Sequence, residues 1–177
     1  MDLPTRAECL KLLDEHGVRG AFEHIRRHSL MVNKVAVWLA KKLKAAGVDI
    51  NVDLVDRGSL LHDVAKVKDI KSGNVRGEHA TLGYNLLKDK YPEVAKLVLR
   101  HVIFRVAECE SWEEKVVMYA DLRVQSGDIV ELATRADYFR NRYFVSGEDQ
   151  RLLARYLKQV YEIEAQLFEI INGHPAD

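Results

Sequence analysis

Apolar residues recur three and four positions apart through most of the chain, the spacing that lays one stripe along a helix and turns it toward a core. Thr5 fits the N-cap of a short first helix through Leu10, Leu12 and Leu13, closing near His16 and Gly17. A long helix is predicted from about Gly20 to Ala46, with Ile25, Val32, Val35, Leu39 and Leu43 on one broad face and Gly47 ending it. A third helix runs from about Asp53 to Val64. The segment from Lys68 to Gly77, KDIKSGNVRG, interrupts the pattern and reads as a polar loop. Further helices fit about Glu78 to Lys90, Glu93 to Phe104, Glu113 to Gln125 and Asp128 to Arg142. The last helix opens with Ser146 and Asp149 at capping-box spacing, continues through Leu153, Leu157, Val160, Ile163 and Leu167, and stops at Gly173. A βαβ alternation and a Gly-rich phosphate loop are both missing, so Rossmann and Walker-type nucleotide folds fit poorly. The pattern predicts an all-α fold.

Composition narrows the class. With 177 residues, 47% hydrophobic and 31% charged, the chain suits one globular domain and excludes disorder as a whole-chain description. Lys+Arg and Asp+Glu tie at 27 each, so net charge gives no pull toward nucleic acid or a membrane surface. Any bound anion has to be met by a local group of bases. Cys9 and Cys109 are the two cysteines, far apart and without a CxxC, which excludes a disulfide scaffold and a thiolate zinc site. Asp2, Arg6 and Glu8 lie where a secretory leader needs an apolar core, and the longest apolar run, Val35 to Ala40, is far short of a bilayer span. The expectation is a cytoplasmic protein without a membrane or nucleic-acid partner.

The candidate chemistry lies in acids and imidazoles set among apolar residues. His62 and Asp63 are adjacent inside LLHDVAK, where a carboxylate is costly to bury unless something compensates it. A divalent cation does so, and imidazole with carboxylate suits Zn, Fe, Mn and related ions. His28 lies midway along the long helix in RRHSLMV, and Asp121 is pressed into VVMYADLRV. His79 opens a helix in GEHATLG, and His101 closes one in LVLRHVI. Each alone reads as a satisfied or exposed polar residue; together they suggest a site. His24 shares a helix face with His28 but lacks the H-E-x-x-H pattern, and His16 and His174 read as bystanders.

The order His28, then His62-Asp63, then Asp121 resembles the H…HD…D signature of the HD superfamily of metal-dependent phosphohydrolases. HSLMVNKVAVWLA is similar to the family's first-ligand helix, LLHDVAK to the LLHDIGK form of the HDIG subgroup, GEHATLG to the segment that supplies a further histidine, and YADLRV to the last ligand helix. The resemblance runs from about Glu23 to Tyr143 and implies a single HD-domain helical bundle. On that basis residues 1–177 form one domain, with an HD core at about 20–145 and a C-terminal helix at about 147–172 packed on it. It implies one or two divalent ions, of Fe, Mn, Co, Ni, Zn or Mg. His28, His62, Asp63 and Asp121 would hold the first, and Asp63 would bridge to a second completed by His79 and His101. Ala65 replaces the glycine of HDIG, and Val102 and Ile103 follow His101 without the polar neighbours of the HD-GYP branch. The small stand-alone HD phosphohydrolases, among them those resembling symmetric diadenosine tetraphosphate hydrolases or nucleoside monophosphatases, are the nearest in kind.

The resemblance implies that such a site hydrolyses a phosphoester or phosphoanhydride of a nucleotide-type substrate through a metal-activated water. Asp63 and Lys66 are the catalytic candidates, Lys66 standing one turn beyond Asp63. Bases gather around the ligand segments, and Lys66, Arg76, Arg123, Arg135 and Arg140 are the candidates for substrate phosphate. A solvated helix face has the same composition. Tyr138, Phe139, Tyr143 and Phe144 either stack a base or belong to the core. An HD-fold di-iron oxygenase, which uses the same donors, and a non-catalytic HD sensor or interaction module remain as alternatives.

Overall fold

The computed structural model describes residues 2–73 and 78–172, and helices account for most of them. Helix α1 (Arg6–Glu15) starts where the cap predicts: the Thr5 hydroxyl accepts the Glu8 amide, and the Glu8 carboxylate accepts the Thr5 amide. A 3-10 turn at Gly20–Phe22 precedes α2 (Glu23–Ala45), so the predicted long helix begins in two pieces. Helix α3 (Val52–Leu61) starts at Asn51, whose side chain accepts the Leu54 amide, and ends before His62. The chain turns over residues 62–65 and re-forms a helix, α4 (Lys66–Lys71), inside the segment expected to be a loop. Six residues are too few to show a periodic stripe. Helices α5 (Glu78–Leu87) and α6 (Pro92–Arg100) follow, then a 3-10 segment at Ile103–Glu108, and α7 (Trp112–Leu122) with a capping box from Ser111 and Glu114.

Helix is replaced by a small hairpin after Leu122. Strands β1 (Val124–Gln125) and β2 (Asp128–Ile129) pair antiparallel across Ser126 and Gly127, which take φ of +54° and +91°. That turn suits glycine, and a Cβ at Gly127 would lie 2.6 Å from Arg27 Nε. Strands of two residues carry no readable alternation, which is why helical spacing masked them. Helix α8 (Leu132–Arg142) therefore starts later than expected. Helix α9 (Gly147–Ile171) begins at the Ser146–Asp149 capping box; its expected stop at Gly173, like His174, lies outside the described residues.

Helix α2 is the central member, packed on α3 and α7 and flanked by α9. Its stripe Val32, Ala36, Leu39 and Leu43 is fully buried, as are Leu60 and Leu61 of α3. Each leucine so buried stabilises the fold by roughly 1.5–3 kcal/mol. Helix α6 lies close against α3 and α5 at glycines: a Cβ on Gly58 would stand 2.5 Å from Leu97, and one on Gly83 2.6 Å from Val98. Those approaches bring the end of α3, the start of α5 and the end of α6 to one place, and each carries a histidine.

Candidate metal centre

His62 and His101 both follow the last turn of a helix, where carbonyls have no amide partner. His62 Nδ1 donates to the Ser59 carbonyl at 2.7 Å, and His101 Nδ1 to the Val98 carbonyl at 2.6 Å. A carbonyl can only accept, so both rings carry their proton on Nδ1 and turn an Nε2 lone pair inward. His62 is wholly buried, and its Nε2 has no hydrogen-bond partner among the described residues. A buried acceptor left this way is destabilising unless a cation takes it up.

Two groups of donors converge, each with ligand atoms within 4.8 Å of one another: His28, His62 and Asp121, and then Asp63, His79 and His101. In the first, Asp121 Oδ1 lies 2.9 Å from His28 Nε2 and 3.7 Å from His62 Nε2. In the second, Asp63 Oδ1 lies 3.2 Å from His79 Nε2 and 3.8 Å from His101 Nε2. The other Asp63 oxygen, Oδ2, faces His62 Nε2 at 3.7 Å. One carboxylate therefore presents an oxygen to each group. Lys66 Nζ stands 3.8 Å from Asp63 Oδ1 and 3.4 Å from both ring nitrogens of His79.

The electrostatics favour neutral rings and ionised acids. Burial pushes His62 down to about 4 and His79 down to about 3. Burial raises the Asp63 carboxyl, but Lys66, His62 and His79 outweigh it and hold the group well below the usual range. Burial raises the Asp121 carboxyl too, but the His28 hydrogen bond and the proximity of His28, His62 and Arg135 outweigh it and hold the group below its usual range. Two carboxylates and several imidazole lone pairs thus share a water-poor site, a donor set of nitrogen and oxygen that fits a divalent ion.

His28, Asp63, His79 and Asp121 of the cluster line a cavity of about 520 Å³. Its lining also includes Arg135, Tyr138, Phe139, Arg142 and Tyr143, from α8 and its end, together with Phe104. The Arg135 guanidinium lies over the Phe139 and Tyr138 rings at 4.7 and 5.2 Å, and its buried Nε has no partner among the described residues. His24 lines the cavity near its surface.

Two expectations about this lining, Arg123 and Arg140, need correcting. Arg123 is fully buried and directed into the core, where it donates to the Val130 carbonyl at 2.7 Å and the Tyr119 hydroxyl at 2.5 Å and pairs with Glu164 at 3.5 Å. It does not face the cavity because two residues along a helix rotate a side chain about 200° from Asp121. Arg140 is exposed, pairs with Asp137 and does not line the cavity. Phe144 is buried and stacks on Phe104 at 5.6 Å, so it belongs to the core. Arg76 lies outside the described residues. Sequence reasoning also passed over Arg27, which donates to the Ser126 carbonyl at the cavity rim, and Asp69, a buried acid whose carboxylate faces His79. The only sequence signal for Asp69 was an acid six residues after Asp63 among lysines.

The chain is similar to several curated proteins. Ribonuclease Y of Fervidobacterium nodosum is 33% identical over 97 residues, covering 53% of this chain and 17% of the relative. Ribonuclease Y of Desulforamulus reducens is 30% identical over 158 residues, covering 89% of this chain and 26% of the relative. The tRNA (cytidine(56)-2'-O)-methyltransferase of Picrophilus torridus is 28% identical over 156 residues, covering 79% of this chain and 42% of the relative. The chain thus spans less than half the length of each of these curated relatives. No solved structure matches it significantly. No described helix is long and apolar enough to cross a membrane. The HD domain, whose superfamily comprises metal-dependent phosphohydrolases, matches residues 25–125 of the 177, the stretch that supplies both donor groups, and the chain belongs to this family.

Proposed function

We propose that the protein is a metal-dependent phosphohydrolase that cleaves a phosphoester or phosphoanhydride bond of a small nucleotide-type substrate. The observation that carries this reading is the Asp63 carboxylate, with one oxygen toward His62 and the other toward His79 and His101. It suits a bridge between an ion held by His28, His62, Asp63 and Asp121 and a second held by Asp63, His79 and His101. Divalent ions there supply Lewis acidity toward phosphoryl oxygens and a water acidified toward a pKa of about 7.

The remaining roles fall to side chains. Neutral His62 and His79 are ready as donors at pH 7, and His28 and Asp121, now in contact with each other, would both serve as ligands to a cation. The Lys66 ammonium stands beside the cluster and neutralises charge that builds on the phosphoryl oxygens. Arg135, set over two rings, offers the substrate a guanidinium. Tyr138 and Phe139 give the base an aromatic wall, and the cavity volume falls within the roughly 300–1,000 Å³ range of small-molecule sites.

The test is a panel of nucleoside mono-, di- and polyphosphates, dinucleoside polyphosphates and a short RNA, the last because relatives of this chain are named ribonucleases. Stripped protein reloaded separately with Mn, Fe, Co, Ni, Zn or Mg should release phosphate or a nucleotide from a small substrate. Inertness toward the whole panel with every metal defeats the reading. Cleavage of the RNA alone defeats the small-substrate part of it.

A further inference from the structure

His79 differs from the other two histidines that point Nε2 into the cluster from helix ends. Those two anchor Nδ1 on a backbone carbonyl three residues earlier. His79 sits in the first turn of α5, where the helix offers unpaired amides instead of carbonyls. Its Nδ1 instead meets Oδ2 of Asp69 at 3.3 Å. Asp69 comes from α4, which packs against α5, and is only 3% exposed. Its other oxygen, Oδ1, has no hydrogen-bond partner among the described residues. A carboxylate buried with so little compensation is costly to the fold. Asp69 lines the same cavity as the cluster.

We propose that Asp69 is a positioning residue for the second ion: it accepts the Nδ1 proton of His79 and so fixes the tautomer whose Nε2 lone pair faces Asp63 and His101. The inference rests on the reading of Asp63, His79 and His101 as the second metal group. The need for such a residue comes from Lys66, whose Nζ is 3.4 Å from both nitrogens of the same ring. An ammonium only donates, so its bond to Nδ1 requires the proton to move to Nε2, where it blocks coordination. Asp69 only accepts while ionised, so its bond requires the opposite tautomer. Lys66, equidistant from the two nitrogens, selects neither tautomer, whereas the carboxylate, which meets Nδ1 alone, selects the form that can bind an ion. Coordination at Nε2 makes Nδ1–H a stronger donor, so ion and carboxylate reinforce each other.

The experiment compares wild-type protein with Asp69→Ala, Asp69→Asn and His79→Ala, each as the full chain, stripped and titrated with Mn2+. Calorimetry reads the affinities, elemental analysis after desalting reads the ions retained, and circular dichroism reads the melting of the metal-free forms. Wild type should take up two ions and His79→Ala one. Asp69→Ala should weaken the second ion about 10–100-fold and leave the first unchanged. Its metal-free melting temperature should be no lower than that of wild type, since the substitution removes a poorly compensated charge. Asp69→Asn keeps an acceptor oxygen and should fall between Asp69→Ala and wild type. Wild-type affinity for both ions in Asp69→Ala overturns the inference while leaving the two-ion reading intact. So does a parallel loss of both ions with a lowered melting temperature, because that marks a purely structural role. A wild type that takes up one ion, unchanged in His79→Ala, overturns the two-ion reading and the inference with it.

Discussion

The Nε2 atoms of His79 and His101 face each other 3.1 Å apart, one from the start of α5 and the other just past α6. Because the His101 proton is committed to the Val98 carbonyl, its Nε2 is an acceptor. Asp63 Oδ1 is a third acceptor 3.2 Å from His79 Nε2. A proton on His79 Nε2 satisfies this convergence only by giving up the Nδ1 bond to Asp69, whereas a cation among all three satisfies it and leaves that bond in place.

The two donor groups should therefore lose metal differently. His79→Ala and His101→Ala are expected to keep one tightly held ion, and His28→Ala to lose it. Asp63→Ala, which removes the bridging carboxylate, is expected to lose metal from both positions and all hydrolysis while keeping its helical circular dichroism. Elemental analysis of the four purified variants checks this. Equal loss in His28→Ala, His79→Ala and His101→Ala points to a single site with another ligand set.

Stability of the metal-free protein should fall on acidification. His62 and His79 titrate at about 4 and about 3 in the folded chain, below their ordinary 6.5, so the unfolded chain binds more protons between these values. Their contribution is complete above about 6.5 and is lost as pH falls toward 4 and 3, at up to about 1.4 kcal/mol per pH unit for each ring. Asp63 and Asp121, held below 3.8, add a loss of the same sign at lower pH. Melting temperatures measured from pH 7 to pH 4 should decline steadily, and a flat profile contradicts buried neutral rings.

Lys66→Ala should separate catalysis from metal binding. Loss of one preorganised donor to a transition-state oxyanion typically costs about 10²–10³ in kcat. Metal content should stay at the wild-type level, since an ammonium donates no lone pair. Loss of metal together with activity assigns Lys66 to the integrity of the cluster instead.

Arg123 and Arg135 should behave as opposites. Arg123 is fully buried and its pair with Glu164 is only half-buried, so Arg123→Ala, which leaves the Tyr119 hydroxyl and the Val130 carbonyl without their guanidinium and empties a core position, should unfold at lower denaturant. Arg135→Ala should leave the denaturation midpoint near wild type and raise KM. Chemical denaturation and steady-state kinetics on the two variants decide the matter.

The ligand segments were legible because acids and imidazoles stood where helical periodicity demanded apolar residues, as at His62-Asp63 and Asp121. The capping boxes at Thr5–Glu8 and Ser146–Asp149 were equally readable, being local in sequence. Arg123 misled because nearness to Asp121 along the chain is not nearness in direction around a helix. Asp69 went unnoticed because its meaning depends on a ring ten residues away, across a helix too short to leave a pattern. The hairpin at Ser126 and Gly127 went unread, falling in the two-residue gap between helices expected to end at Gln125 and to begin at Asp128.

Helix α8 supplies none of the six clustered donors, yet its residues line the same cavity. It is reached through a hairpin whose tip Arg27 holds by a hydrogen bond to Ser126. The aromatic and guanidinium groups of α8 can therefore be exchanged without removing an imidazole or a carboxylate from the cluster. What the cavity admits and what the cluster can hold are thus open to change on separate helices.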